Sequence, residues 1–215
     1  MQVDGVTVRS IIERTLDLLT AQWEFLAAYI LGMGALGVVL DLVGIENTTV
    51  YNIASMVALY FLMRRMLTGA GVHLTSENRF WPYIGVAILS AFGIFAGVLL
   101  LIVPGLVLFV RWLPAYGVLL AENTGVTAAL GISWQRTRPA FWPLLAVALM
   151  YIVSLVVVIG GFALLAENPG VPLLAWSIPL NLAAAALSTG SVALGLAAYL
   201  LLDPQAVDTV ADTFA

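Results

Sequence analysis

Residues 140–165, AFWPLLAVALMYIVSLVVVIGGFALL, run for 26 positions without one charged side chain. As a helix rising 1.5 Å per residue, that stretch is roughly 39 Å long, more than the ~30 Å hydrocarbon layer of a bilayer. Five further apolar runs lie at 24–43, 50–67, 82–103, 105–121 and 173–202. The chain is 62% hydrophobic and only 9% charged. Soluble domains carry about 25% charged residues, so this one lacks the polar surface to face water on all sides. The sequence therefore predicts an all-α polytopic membrane protein with six transmembrane helices.

Ahead of the first run the pattern changes. In residues 6–22, Val8, Ile12, Leu16 and Leu19 share a helical face that leads to Trp23, with Arg9, Glu13 and Asp17 opposite. Such a helix lies on a membrane surface or docks on the bundle. The same logic marks 126–138, where Val126, Leu130 and Trp134 recur every four residues and Pro139 ends the pattern. The expected organisation is an amphipathic surface helix at 1–22, a six-span membrane domain at 23–203 with a short surface helix at 126–138, and a tail at 204–215. Arg9 and Arg14 are mixed with Asp4, Glu13, Asp17 and Glu24, unlike the basic head and apolar core of a cleavable signal, so the first residues are read as mature protein.

Arginine placement sets the expected threading. Arg9 and Arg14 precede the first span, Arg64, Arg65 and Arg79 separate the second from the third, and Arg136 and Arg138 separate the fourth from the fifth. The connections around 41–49 and 166–172 have no basic residue. By the positive-inside rule all seven agree on one orientation, with both termini cytoplasmic. All eight basic residues are Arg, and with the abundance of Ala, Leu, Val and Gly this fits a GC-rich bacterial genome. A weak parallel repeat supports the threading: Phe80-Trp81-Pro82 and Phe141-Trp142-Pro143 each open an outward-going span. Gly93 and Gly97 form a GxxxG pair suited to close helix contact inside the bundle.

Several chemistries are disfavoured. There is no Cys and no Lys, and the lone His73 falls in a loop, so thiolate nucleophiles, Cys- or His-based metal sites and Schiff-base chemistry are not expected. The carboxylate pairs Asp41 with Glu46 and Glu77 with Glu122 read as solvated loop charges. The mid-span polar residues, among them Ser90, Asn181, Ser188, Thr189 and Ser191, are uncharged, which argues against a proton or ion relay. Pro179 divides the last run and makes a kink or break before Asn181 an expectation. A net charge of −4, spread along the chain, suggests no nucleic-acid partner.

One charge does fall inside an apolar run. In Val103–Tyr116, VPGLVLFVRWLPAY, Pro104-Gly105 reads as the outer turn after the third span, and Pro114 as a kink. Arg111 would then sit about 9 Å into the returning helix, shallow enough to snorkel outward beside the interfacial Trp112. Two readings stand side by side. Arg111 is a structural residue, snorkelling or paired with Asp41 or Glu46; or it grips a lipid phosphate or other anion with its planar donors. Arg136 and Arg138 of the second surface helix are candidate headgroup contacts on the other face.

The run P-G-x-x-L-x-x-R at 104–111, then Leu120-Ala121-Glu122-Asn123, then ALGISWQRTRPAFW at 129–142, resembles the bacterial membrane domain found fused to some glycerophosphodiester phosphodiesterases, and its stand-alone YciC-like inner-membrane relatives. Ala129, Leu130, Ser133, Trp134 and Thr137 match that family's surface-helix element; Gly131 and Gln135 depart from it. The resemblance covers about 40 residues and implies an architecture rather than an activity. The residues after Leu202 are too few for the phosphodiesterase barrel, so that enzyme's activity is not expected of this chain. The expected role is a non-enzymatic inner-membrane subunit or scaffold that packs against a larger membrane complex or organises phospholipid, without cofactor or metal. The alternative is a transporter or binder of a lipid or small amphiphile, with Arg111 on its anionic headgroup.

Overall fold

The computed structural model describes residues 5–44, 48–74, 78–168 and 170–203. All regular structure among them is helical: α1 (Val8–Ala21), α2 (Trp23–Val43), α3 (Thr48–Gly69), α4 (Phe80–Leu100), α5 (Ile102–Trp112), α6 (Ala115–Ala121), α7 (Val126–Arg136), α8 (Phe141–Ala166) and α9 (Leu173–Leu202). Five stretches are long and apolar enough to cross a membrane: α2, α4, Ile102–Ala121, α8 and α9. The 50–67 run forms α3, long enough at 22 residues, but Asn52, Arg64 and Arg65 dilute its apolar character and it is not among the five. The 204–215 tail, Glu46 and Glu77 lie outside the described residues.

α9 is the centre of the bundle. Of its most apolar stretch 61% is buried, against 17% for α8, so α9 is wrapped by other helices while α8 turns most of its side chains outward. Of the kink or break expected at Pro179, the break does not occur: α9 runs through the proline as one helix. Near this proline the Ser177 hydroxyl and the Asn181 amide (2.8 Å) both donate to Asp41 of α2, and the Asn181 amide also donates to the Ser177 carbonyl (2.9 Å). These bonds lock α2 against α9 where the proline has removed a backbone donor.

α1 begins in a capping box, with the Thr7 hydroxyl accepting from the Ser10 amide and the Ser10 hydroxyl accepting from the Thr7 amide. It packs on α8 and α9 through Ile11 and Leu18, which are buried. Leu16, expected on the inward face, is 53% exposed, because the inward stripe runs through the buried Ile11 and Leu18 with Thr15 half-buried between them.

Two expectations about the α4–α5 hairpin need correction. The turn falls at Leu101, whose extended backbone (φ −166°, ψ 145°) separates the helices, and not at Pro104-Gly105. Pro104 sits in the first turn of α5, where a missing N–H costs nothing. Gly105 serves packing instead: a Cβ on Gly97 would come within 2.8 Å of the Gly105 backbone. Gly93 lies under the Trp112 ring, so the GxxxG face of α4 is spent inside the chain. Pro114, expected to kink one helix, breaks it into α5 and α6. The break is tolerable in apolar surroundings because Leu113 and Pro114 are buried in protein and six of the seven α6 residues are buried.

Contacts gather most arginines at one end of the bundle. Arg65 donates to Gln22 (3.3 Å), joining the end of α3 to the start of α2. Arg79, before α4, donates from its amide to the Tyr60 hydroxyl (3.1 Å) and from its guanidinium to Asn123 and the Thr124 carbonyl. Asn123 takes the left-handed conformation (φ 52°) that lets α6 stop and turn into α7. The repeated Phe-Trp-Pro openings are structurally alike: each supplies the first three residues of its helix, after a residue near φ −109°, ψ 24° at Arg79 and φ −106°, ψ 19° at Ala140. Trp81 and Trp142 are both exposed, as is Trp23 at the start of α2.

Candidate functional site

Arg111 lies in the last turn of α5, just before the helix break. The broken helix leaves carbonyls of its last turn without helical donors, and the Ser133 hydroxyl of α7 takes one, donating to the Arg111 carbonyl at 2.6 Å. Ser133 itself is fully buried, so α7 is drawn in against α4, α5 and α6. Val110, next to Arg111, packs with Ile11 of α1 and with Ala140 and Leu144 at the opening of α8. Arg111 thus sits among the elements of the arginine end, not at the outer turn where it was expected to snorkel. The difference follows from the turn at Leu101, which carries Arg111 roughly 13 Å along α5 rather than 9 Å.

The guanidinium lies in a slot with aromatic walls. Its Cζ is 5.3 Å from the Trp134 ring centre and 4.8 Å from that of Phe141. Nη1 reaches the Trp134 carbonyl and the Thr137 hydroxyl at 3.5 Å each, the far limit of a hydrogen bond, and Nε is buried without a partner. Among the described residues no carboxylate lies within ion-pair distance of Arg111. Asp41, an expected partner, is engaged by Ser177 and Asn181. Arg138, which directly follows Thr137, is exposed. Cation–π contact with two rings compensates part of the desolvation of Arg111, but it leaves the fork of N–H donors largely unspent.

The other sequence candidates fall elsewhere. Arg136 makes a forked ion pair with Glu122, Nη2 to Oε2 at 3.1 Å, and approaches Asp203 at 4.0 Å, so it is held inside the chain rather than offered to a headgroup. Tyr199 donates to the same Asp203 at 3.1 Å. Trp112 points away from the Arg111 slot, onto Gly93 and into a separate cleft. His73 is exposed between α3 and α4, as a loop residue should be. Sequence reasoning missed Phe141, Ser133 and Thr137 as neighbours of Arg111. Ser133 and Thr137, the residue that caps the end of α7, stand four apart in line with the buried Ala129, and that spacing was the available signal.

No family model, no curated protein and no solved structure matches the chain.

Proposed function

We propose that this chain is a non-enzymatic protein of the bacterial inner membrane that organises lipid around itself, holding one anionic phospholipid headgroup between Arg111 and Arg138. The observation that carries the reading is the Arg111 slot: a cation with aromatic walls, a buried unpaired Nε and two 3.5 Å contacts, one of them to Thr137, which the exposed Arg138 follows. A phosphate accepts several N–H donors from an Arg fork, and Arg138, next to the Thr137 that Arg111 touches, offers it a second cation. Conversely, Arg136 already has its anion, and it is left out of the headgroup site.

In this reading α3 is a sixth span. Its 22 residues reach ~33 Å, and Arg64 and Arg65 in its last turns extend to the interface. The arginine end then faces the cytoplasm by the positive-inside rule, both termini lie there, and the lipid belongs to the cytoplasmic leaflet. α1 is an amphipathic helix at that face, with Ile11 and Leu18 inward and the exposed Arg9–Glu13 pair outward. The resemblance to the phosphodiesterase-linked membrane domain contributes this architecture only.

The test is lipid retention. Protein reconstituted in equal phosphatidylglycerol and phosphatidylcholine is released into native mass spectrometry, and the lipid that stays bound is identified. One phosphatidylglycerol per chain is expected, with at least a tenfold loss in Arg111→Gln. Equal retention of both lipids, or retention unchanged by Arg111→Gln, defeats the proposal.

A further inference from the structure

A cleft of about 280 Å³ separates the α4–α5 hairpin from α3 and α9. Phe109, Trp112 and Tyr116, spaced i, i+3 and i+7, line one side, whereas Val110 and Arg111 face the other way. The cleft is therefore distinct from the Arg111 slot. Tyr116 begins a chain of ring contacts, Tyr116–Tyr83 at 5.3 Å and Tyr83–Tyr60 at 5.4 Å, that plugs the way toward Arg79 and the arginine end. The other lining residues include Ala91, which is exposed on α4 next to the outward-facing Phe92. The mouth thus opens sideways through the apolar face of a span. It does so near mid-depth, since Ser90, also in the lining, is the eleventh of the 21 residues of α4.

Ser90 is the telling residue. Many helical hydroxyls in this chain find a partner: Thr15, Thr20, Thr68 and Ser188 each donate to the carbonyl four residues earlier, at 2.7–2.9 Å, while Ser133 and Ser177 donate to a neighbouring helix. Ser90 does not. It is 8% exposed, its Oγ has no partner, and it borders the cleft. An apolar surrounding makes an unpaired hydroxyl costly, so something that enters the cleft and accepts a hydrogen bond is favoured over bare hydrocarbon.

We infer that the cleft binds one uncharged lipid whose head is a flat, carbonyl-bearing ring of quinone type on a hydrocarbon tail. The ring lies against Trp112 and Phe109, one carbonyl accepts from Ser90 Oγ, and the tail leaves past Ala91 into the bilayer. Each feature selects against another occupant. A plain acyl chain leaves Ser90 unpaired. A phospholipid would have to bring a charged head to mid-depth, where no cation lines the cleft. The volume, about 280 Å³, suits a single ring.

The experiment uses the full chain in phosphatidylcholine nanodiscs, titrated with a decyl-substituted benzoquinone, with dioctanoylglycerol as the comparison probe. Bound probe is counted by native mass spectrometry. One saturable quinone per chain is expected. Ser90→Ala should weaken it by roughly three- to tenfold, the range that membrane hydroxyl bonds reach. Ala91→Phe, a change at an exposed position that fills the mouth from the lipid side, should abolish binding while leaving the melting temperature within a few degrees. No saturable binding, equal binding of dioctanoylglycerol, or affinity unchanged in Ser90→Ala overturns the inference. Phosphatidylglycerol retention at Arg111 is read separately, so either proposal fails without the other.

Discussion

Arg136 and Arg111 lie on either side of the same short helix system and meet opposite fates. Arg136 faces Glu122 and Asp203 and shares the latter with Tyr199, so its charge is answered from within the chain. Arg111 faces Trp134 and Phe141, with a carbonyl and a hydroxyl at the limit of bonding distance. Both side chains sit in partly dry surroundings. An arginine with internal anions is a structural clamp, and one surrounded by π faces is still available to an external anion.

The contrast is broken most directly by removing the clamp. Arg136→Ala should destabilise the chain by about 2 kcal/mol, below the 3–5 of a fully buried pair because about a quarter of each partner is exposed. Urea unfolding in detergent measures it. Loss of the same size in lipid-free Arg111→Ala would erase the distinction between the two sites. The response to lipid is of similar size: phosphatidylglycerol at about 100 times its dissociation constant should stabilise the unmodified chain by about 2.7 kcal/mol. Arg111→Gln should lose most of that gain and barely change the lipid-free melting point. Arg138→Ala should lower the preference for phosphatidylglycerol by about fivefold, as ~1 kcal/mol per interfacial basic residue implies, with stability in detergent unaltered. The smallest effect belongs to Arg9→Ala. Its pair with Glu13 is exposed on both sides, and no shift in unfolding should be measurable.

Local pattern made much of the helical framework readable. The run at 140–165 became α8 within a residue or so, the Phe-Trp-Pro triplets opened two helices with near-identical entry geometry, and Gly93 and Gly97 packed within the chain. Each depends on neighbours a few residues away, which is what helical periodicity encodes. Pro104-Gly105 misled because proline is as much at home in a first helical turn as in a loop, and only the approach of Gly97 shows why a glycine follows it. Pro179 misled in the opposite sense. A proline marks a possible break, but Ser177, Asn181 and Asp41 supply the bonds that hold α9 together across it.

By itself the sequence determined that this chain is helical, that several of its helices are apolar enough to cross a membrane, and that its arginines are unevenly shared among the connections. Those are properties of hydropathy and short-range order. The setting of Arg111 was decided by the tertiary structure alone. It required Pro114 to end a helix, Ser133 to draw α7 inward, and the first residue of α8 to bring Phe141 across the guanidinium. A charge is structural or available according to what surrounds it in space, and here the surroundings come from segments more than 20 residues apart in the chain.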